Sequence, residues 1–371
     1  MAQGARAVSA GDHLVQSPGL SPRFPSAAAI TVIGDGLAGT VLALSLAARG
    51  ASVRLIGAGD DAMATGLSYG ALPRGRPSGA WRRLERLHGP LGWRASGLVF
   101  HDGRPGLPHR LAGLSQRLPL PLARVDTPAW GSARRRALAA AGVRHLSGCV
   151  CALEPALQGS WRLKLAPSGG AESELTAKTV VLAAGAGCRA LSPGLPRRLR
   201  HSWAGVLLLA AGAPANPWLD QARRGRIVQP RHWRRPAVEA GSADIREPVW
   251  VVDAGLAPWG EGMVVGQISW IPPAGPEGER SPSLSPPDPH WMEERLREGL
   301  EQLDPELASL DAPYRQVPVS FCSDGQPLVG PVAGAPGLWS FAGFSAAFSR
   351  VPSEAEALAD RLLAAAGDPG Q

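Results

Sequence analysis

Apolar positions first gather at Ala29-Ile30-Thr31-Val32-Ile33, a β-prone run. Gly34-Asp35-Gly36-Leu37-Ala38-Gly39 follows, and Thr40 to Arg49 then carries Val41, Leu42, Leu44 and Leu46 at helical spacing until Gly50 stops it. Ser52-Val53-Arg54-Leu55-Ile56 predicts a second strand, so the order is that of a βαβ unit. Downstream the pattern predicts a helix over 132–142 and β structure from Val143 to Leu153. Trp161 to Leu165 alternates like a strand, and Thr179-Val180-Val181-Leu182-Ala183 reads as a buried strand ending in a turn at Ala184-Gly185. Residues 203–271 hold six of the twelve tryptophans and the runs Val249–Val252 and Met263–Ile268, which predicts an antiparallel sheet with aromatic faces. A Pro/Ser/Gly loop over 272–289 leads to a helix from Trp291 to Leu303. Ser353 with Glu356 forms a capping box for a last helix over 353–366, closed by Gly367 and Pro369. The Pro- and Arg-rich stretch 81–130 shows no clear period, and no internal repeat is visible.

With 371 residues, 44% of them hydrophobic, the chain can form two domains or one large α/β domain with an insertion. No apolar run reaches the ~20 residues a membrane helix needs. Residues 1–28 lack an apolar h-region and read as a disordered tail of a cytoplasmic protein. The net charge is +7, but the arginines are scattered, densest at Arg134-Arg135-Arg136 and Arg197-Arg198, which disfavours nucleic acid as partner. Cys149, Cys151, Cys188 and Cys322 form neither a disulfide framework nor a zinc pattern, so no metal is expected. Cys149 and Cys151 share one face of a strand and are expected to be small buried hydrophobes. His201 and His232, in arginine-rich stretches, are expected at the surface.

Gly34-x-Gly36-x-x-Gly39 between a strand and a helix carries the chemistry. Gly34 permits the tight turn, Gly36 lets backbone approach a pyrophosphate, and Gly39 lets helix and strand pack closely. Leu37 and Ala38 open the helix, whose free N–H groups and positive dipole end suit phosphate. A dinucleotide site also calls for an acid at the end of the second strand, to hold a ribose hydroxyl. Gly57 stands there, and Asp60 and Asp61 are the nearest acids. Losing that charged hydrogen bond costs roughly 1.5–3 kcal/mol.

Four further segments accompany this motif: Ala64-Thr65-Gly66-Leu67-Ser68-Tyr69-Gly70, Val181-Leu182-Ala183-Ala184-Gly185, Asp324-Gly325-Gln326-Pro327-Leu328-Val329-Gly330-Pro331, and Gly337-Leu338-Trp339-Ser340-Phe341-Ala342-Gly343-Phe344-Ser345. In this order the chain resembles the D-amino-acid oxidase, glycine oxidase and sarcosine oxidase family of FAD-dependent oxidoreductases, over about 29–365. The resemblance implies an α/β fold: a discontinuous, Rossmann-like FAD-binding domain (29–80, 131–200 and 321–371) with an inserted, mostly antiparallel substrate domain (81–130 and 201–320). It implies non-covalent FAD, since no Cys or His is placed to bond the flavin. It places Gly34, Gly36, Leu37, Ala38, Gly39, Asp60, Thr65, Gly66, Ser68, Val150, Ala184, Gly185 and Asp324 along the cofactor, and Gly343, Phe344, Ser345 and Ala346 near the flavin ring. The implied reaction oxidises the C–N bond of an amine or amino-acid-like substrate by hydride transfer to flavin N5, with oxygen or another acceptor reoxidising the flavin.

Two departures stand against this. Oxidases of the family that bind an α-carboxylate often have Arg-Pro where this chain has Val319-Ser320, and sarcosine-oxidase-like members have Gly-His-Gly where it has Ala346-Ala347-Phe348. Arg315, Tyr314 and Tyr69 are the substrate-site candidates that remain. The departures also admit a catalytically degenerate flavin-binding or interaction protein of the same fold. A flavoenzyme acting on a modified tRNA base is a lesser alternative. The oligomeric state is not legible.

Overall fold

A computed structural model describes residues 30–59, 64–101, 114–166, 173–275 and 284–367. The tail 1–28, Asp60 and Asp61 lie outside the described residues. Strand β1 (Ile30–Ile33), the first helix (Leu37–Ala47) and strand β2 (Val53–Gly57) form the βαβ unit. Strand β3 (Ala71–Pro73) and the helix Arg76–His88 lead into the stretch 81–130 that shows no period, which holds β4 (Trp93–His101) and β5 (Leu120–Val125). The helix Thr127–Ala140 begins five residues before the predicted start, because the Asp126 carboxylate caps it by accepting from the Ala129 N–H. Then come β6 (Arg144–Ser147), β7 (Cys149–Pro155), β8 (Trp161–Ala166), β9 (Ser173–Ala177) and β10 (Val180–Leu182). The remaining strands are β11 (Leu199–Leu209), β12 (Ile227–Pro230), β13 (Val249–Trp259), β14 (Gly262–Ile271), β15 (Tyr314–Cys322), β16 (Leu328–Pro331) and β17 (Leu338–Ala342). The helices Pro289–Glu301 and Ala347–Gly367 flank β15 to β17 in sequence.

The strands build three sheets. Six run in the order β16-β17-β10-β1-β2-β6, parallel except for edge strand β16. Eight run in the order β15-β11-β14-β13-β12-β4-β5-β3, antiparallel except for the β12–β4 pair. Strands β7, β8 and β9 make a small antiparallel sheet. The molecule is thus α/β, a doubly covered parallel sheet joined to a large antiparallel one. Among the described residues no helix is long and apolar enough to cross a membrane.

The first core lies between the parallel sheet, the first helix, the helix Arg76–His88 and the C-terminal helix, with Trp81 and Trp130 at its centre. The second lies between the large sheet and the helix Pro289–Glu301. The division between the two differs from the sequence boundary at residue 80. Helix Arg76–His88 buries Trp81 and Leu84 in the first core while Ser78 accepts from the Trp93 indole on β4, and β3, nominally in the FAD portion, pairs with β5 of the large sheet.

Tertiary contacts also move the last helix. It starts at Ala347, so Ser353 and Glu356 sit inside it rather than at a cap. Pro352 has no N–H to give the Phe348 carbonyl four residues back. The Trp81 indole N–H donates to that carbonyl instead, at 2.6 Å, and the Trp81 and Phe348 rings stack 6.0 Å apart. Glu356 pairs with Arg83 at 2.9 Å. Cys149 and Cys151 are exposed, not buried. The small sheet buries only the face carrying Val150, Leu163 and Leu165, and the register shifts between Val150 and Ala152. His201 is likewise the reverse of its expectation: β11 lies between β14 and β15, and the imidazole is buried. His232 is exposed.

Candidate functional site

Strands β1, β2, β10 and β17 run the same way, so their carboxyl ends share one edge of the sheet. Open α/β sheets bind ligands along that edge. The edge carries Gly34–Gly39 after β1, Gly57 at the end of β2, Ala183–Gly185 after β10 and Gly343–Ala346 after β17. Gly34 adopts φ +105°, and a Cβ there would collide with the Ala183 carbonyl oxygen. A Cβ on Gly39 would collide with the Gly34 carbonyl and press on the Ala183 methyl at 3.3 Å. These two glycines hold the helix against the strands. Gly36 differs: the nearest atom to a Cβ there is Thr65 Oγ1, at 3.8 Å. Gly185 has similar room, with Ser320 Oγ at 4.0 Å.

The Leu37 N–H donates to Thr65 Oγ1 at 3.2 Å, which sets Thr65 over the first helix. The helix has no acid in its first turn and no side-chain cap at Gly36, so its positive end is not neutralised from within. A cofactor pyrophosphate fits these residues: a backbone without a Cβ, a hydroxyl beside it and a helix with no acid in its first turn.

Asp35 is a residue that sequence reading passed over. Its side chain is only 6% exposed and lies over Gly57, where any Cβ would collide with the carboxylate. His145 Nε2 meets Asp35 Oδ2 at 3.2 Å, and Arg134 approaches the same oxygen at 3.5 Å. Arg134 also donates to the Asp35 carbonyl, as does Thr40 Oγ1 at 2.9 Å. Burial pushes the carboxyl's pKa up, but the His145 hydrogen bond and the Arg134 charge outweigh it and hold the pKa below the ordinary value. The legible signal was a pair, an acid inside the glycine motif and a glycine where the acid belongs.

At the closing segment a Cβ on Gly343 would press on Cys322 Sγ, and Phe344 packs edge-on to Phe341 at 4.8 Å. Ser345 Oγ donates to Glu239 Oε2 at 3.2 Å. Ala346 stands at φ +55°, a left-handed position that costs an L-residue about 1–2 kcal/mol and suits glycine. The Gly66 carbonyl accepts from Thr127 Oγ1 (2.9 Å) and Trp259 Nε1 (2.7 Å), and Ser68 Oγ accepts from the Gly70 N–H. Val150 is buried on β7 beyond the end of β6, and Ala184 packs at the end of β10. Asp324 is exposed and accepts from the Gln326 N–H and from Arg198, which lower its pKa.

Tyr69, Tyr314 and Arg315 are not brought to this edge. Tyr69 donates its hydroxyl to the Gly266 carbonyl inside the large sheet, and burial raises its pKa. Tyr314 bonds Gln316 Oε1 at 3.0 Å, with its ring against Gly205. Arg315 is exposed and donates to the Tyr314 carbonyl. It stands seven residues before Cys322, ~23 Å along the strand.

Another cation stands much nearer. β11 and β15 pair antiparallel, with Arg200 opposite Phe321 and Ser202 opposite Val319. Paired and alternate residues share a face, so Arg200, Ser202 and Val319 point the same way. Arg200 is buried and donates to the Ser242 and Pro272 carbonyls, with no carboxylate in salt-bridge contact among the described residues. Burial, with Arg189 and Arg197 nearby, pulls its pKa down to about 10. The Ser202 hydroxyl is fully buried without a partner among the described residues. Ser242 Oγ donates to the Glu239 carbonyl, so the segment 239–242 links Arg200 to Ser345. No local pattern marks Arg200, because only strand pairing brings it beside Val319.

A family model described as FAD dependent oxidoreductase (DAO) matches residues 120–361. The chain belongs to this family. The protein is therefore an FAD-dependent oxidoreductase of the DAO family, and FAD is its cofactor. No curated protein sequence matches this DAO-family member. Solved structures share its fold. Glycine oxidase from Geobacillus kaustophilus superposes with TM-score 0.61 at 15% identity, covering 90% of this chain and 95% of that one. L-amino acid deaminase from Proteus vulgaris gives TM-score 0.61 at 16% identity over 94% and 96%. L-proline dehydrogenase from P. horikoshii gives 0.58 at 16% identity over 92% and 95%.

Proposed function

We propose that this DAO-family enzyme oxidises the C–N bond of an amine or amino-acid-like substrate that carries a carboxylate. The observation that carries this reading is Arg200. A buried guanidinium whose hydrogen bonds go to neutral carbonyls, with Asp244 near but not in salt-bridge contact, retains its charge and N–H donors for an anion. It shares a sheet face with Val319, where family members that bind an α-carboxylate have their arginine, so the cation has moved one strand over. The exposed Arg315 and the anchored Tyr69 and Tyr314 take no part in this reading. Arg200 binds the substrate carboxylate and Ser202 offers a hydroxyl beside it, which together orient the substrate's C–N bond. Bound FAD supplies the hydride acceptor at N5. FAD binds without a covalent link. Burial pushes the Cys322 thiol beside Gly343 up to about 11, and Cys188 to about 12, so both stay protonated and unreactive.

The test is anaerobic bleaching of the ~450 nm flavin band across a panel of amino acids, N-alkyl amino acids and carboxylate-free amines. Carboxylate-bearing members are expected to bleach it. Arg200→Met is expected to raise their KM by at least ~30-fold, while Arg315→Ala leaves it within about twofold. Equal bleaching by carboxylate-free amines sinks the carboxylate assignment. A flavin that binds yet stays oxidised throughout favours the catalytically degenerate alternative.

A further inference from the structure

The end of β2 lacks the acid that a dinucleotide site uses for its ribose, yet a carboxylate occupies that place. We propose that Asp35, lying between the first two glycines of the motif, supplies this carboxylate and accepts hydrogen bonds from the adenosine-side ribose of FAD. The two positions exclude each other, since any Cβ at 57 would collide with the Asp35 carboxylate. An acid at 35 therefore requires glycine at 57, and the chain has both.

The carboxylate is held for this task. Thr40 Oγ1 and Arg134 fix the Asp35 carbonyl, which sets the turn from which the side chain departs. His145, on the strand beside β2, and Arg134 both engage Oδ2. Both of these side-chain contacts fall on Oδ2 and the carboxylate also accepts from its own backbone N–H, so Oδ1 has no side-chain partner among the described residues and is the oxygen left to meet a ribose hydroxyl. Gly57 presents no side chain, and the Asp35 carboxylate fills the space that a Cβ there would take, which sets the acid at the end of β2. The relocated acid stands at the carboxyl edge beside the open backbone of Gly36, where the pyrophosphate reading already puts the nucleotide.

The experiment compares FAD with an analogue lacking both hydroxyls of the adenosine ribose, binding each to flavin-stripped full-length protein and following flavin fluorescence. Wild type is expected to prefer FAD by ~10- to 150-fold, the worth of one charged hydrogen bond. In Asp35→Asn the preference is expected to fall to a fewfold or less. The double variant Asp35→Gly/Gly57→Glu, which moves the acid to the strand end and clears its space, is expected to restore the preference. It also serves as the deciding variant if Asp35→Asn does not fold. The same preference in wild type and Asp35→Asn overturns the proposal, as does a folded double variant that binds both ligands equally. Wild type that binds FAD and the analogue equally overturns it while leaving the family assignment intact. Wild type that binds neither overturns both.

Discussion

The nucleotide edge and the β11–β15 pair of the large sheet were assembled by different rules. At the edge, function follows from residues close in sequence. Gly34, Gly36 and Gly39 act within one turn, and their tasks can be read from spacing because a tight turn and a helix start are local objects. On β11 and β15, Arg200 and Val319 are far apart in sequence and meet only through register. A motif search anchored on Val319 finds an absence, whereas the sheet supplies a cation from the neighbouring strand. Asp35 shows the same logic at close range, since its carboxylate compensates for Gly57 across two strand ends. Loss of a familiar residue at one position therefore says little until the positions facing it are known.

The sharpest way to break this contrast is at the edge. Gly39→Val puts a side chain into the Gly34 carbonyl, backbone that cannot yield. A loss of at least about 3 kcal/mol is expected, read as a fall in the urea midpoint together with failure to retain FAD. A midpoint unchanged by this variant would show that helix and strand can part without cost.

The next effect belongs to β11. Burial, then Arg200 and Arg189, hold the His201 pKa down to about 4, against an ordinary 6.5. The unfolded chain therefore takes up a proton, between about pH 4 and 6.5, that the folded chain refuses. Stability should rise with pH across that window by up to about 3 kcal/mol and level off above it. His201→Leu should flatten the His201 share of that slope, and an undiminished slope would assign it to other groups.

Trp81→Phe tests the first core where it supports the start of the last helix. It keeps the ring but leaves the Phe348 carbonyl, already deprived of a helical donor by Pro352, without its 2.6 Å partner. A loss of about 1–3 kcal/mol is expected, and a restored Tm in Trp81→Phe/Pro352→Ala would confirm the reason. The smallest effect is a gain. Ala346→Gly relieves the left-handed strain at φ +55° and should stabilise by about 1 kcal/mol. A lower Tm would mean that the methyl makes contacts worth more than the strain.

Much of the fold was legible. The βαβ unit, the strands at 161–166 and 180–182 and the paired strands β13 and β14 follow from apolar period and glycine punctuation. The stretch 81–130 was not, because its prolines and arginines mask elements that are fixed by strand pairing in the large sheet and by burial of Trp81 and Trp130 in the first core. The capping box at Ser353 misled for a similar reason. The pattern is a valid helix start, but Trp81 rescues the carbonyl that Pro352 strands, and the helix extends to Ala347. Cys149 and Cys151 were placed on one strand face as expected, yet the solvent side of that face could not be read from two residues.

The sequence by itself determined that a glycine turn opens a helix after a buried strand, and that four later segments follow in the order of an FAD-dependent oxidoreductase. Those features depend on backbone freedom and on spacing within single elements, which a linear chain encodes directly. Only the tertiary structure decided that Asp35 covers Gly57, that Arg200 stands beside Val319, and that Tyr69, Tyr314 and Arg315 bond groups of the large sheet. Each depends on which strands pair and in what register. That choice is made by burying apolar faces across the whole molecule, and no short stretch of sequence contains it.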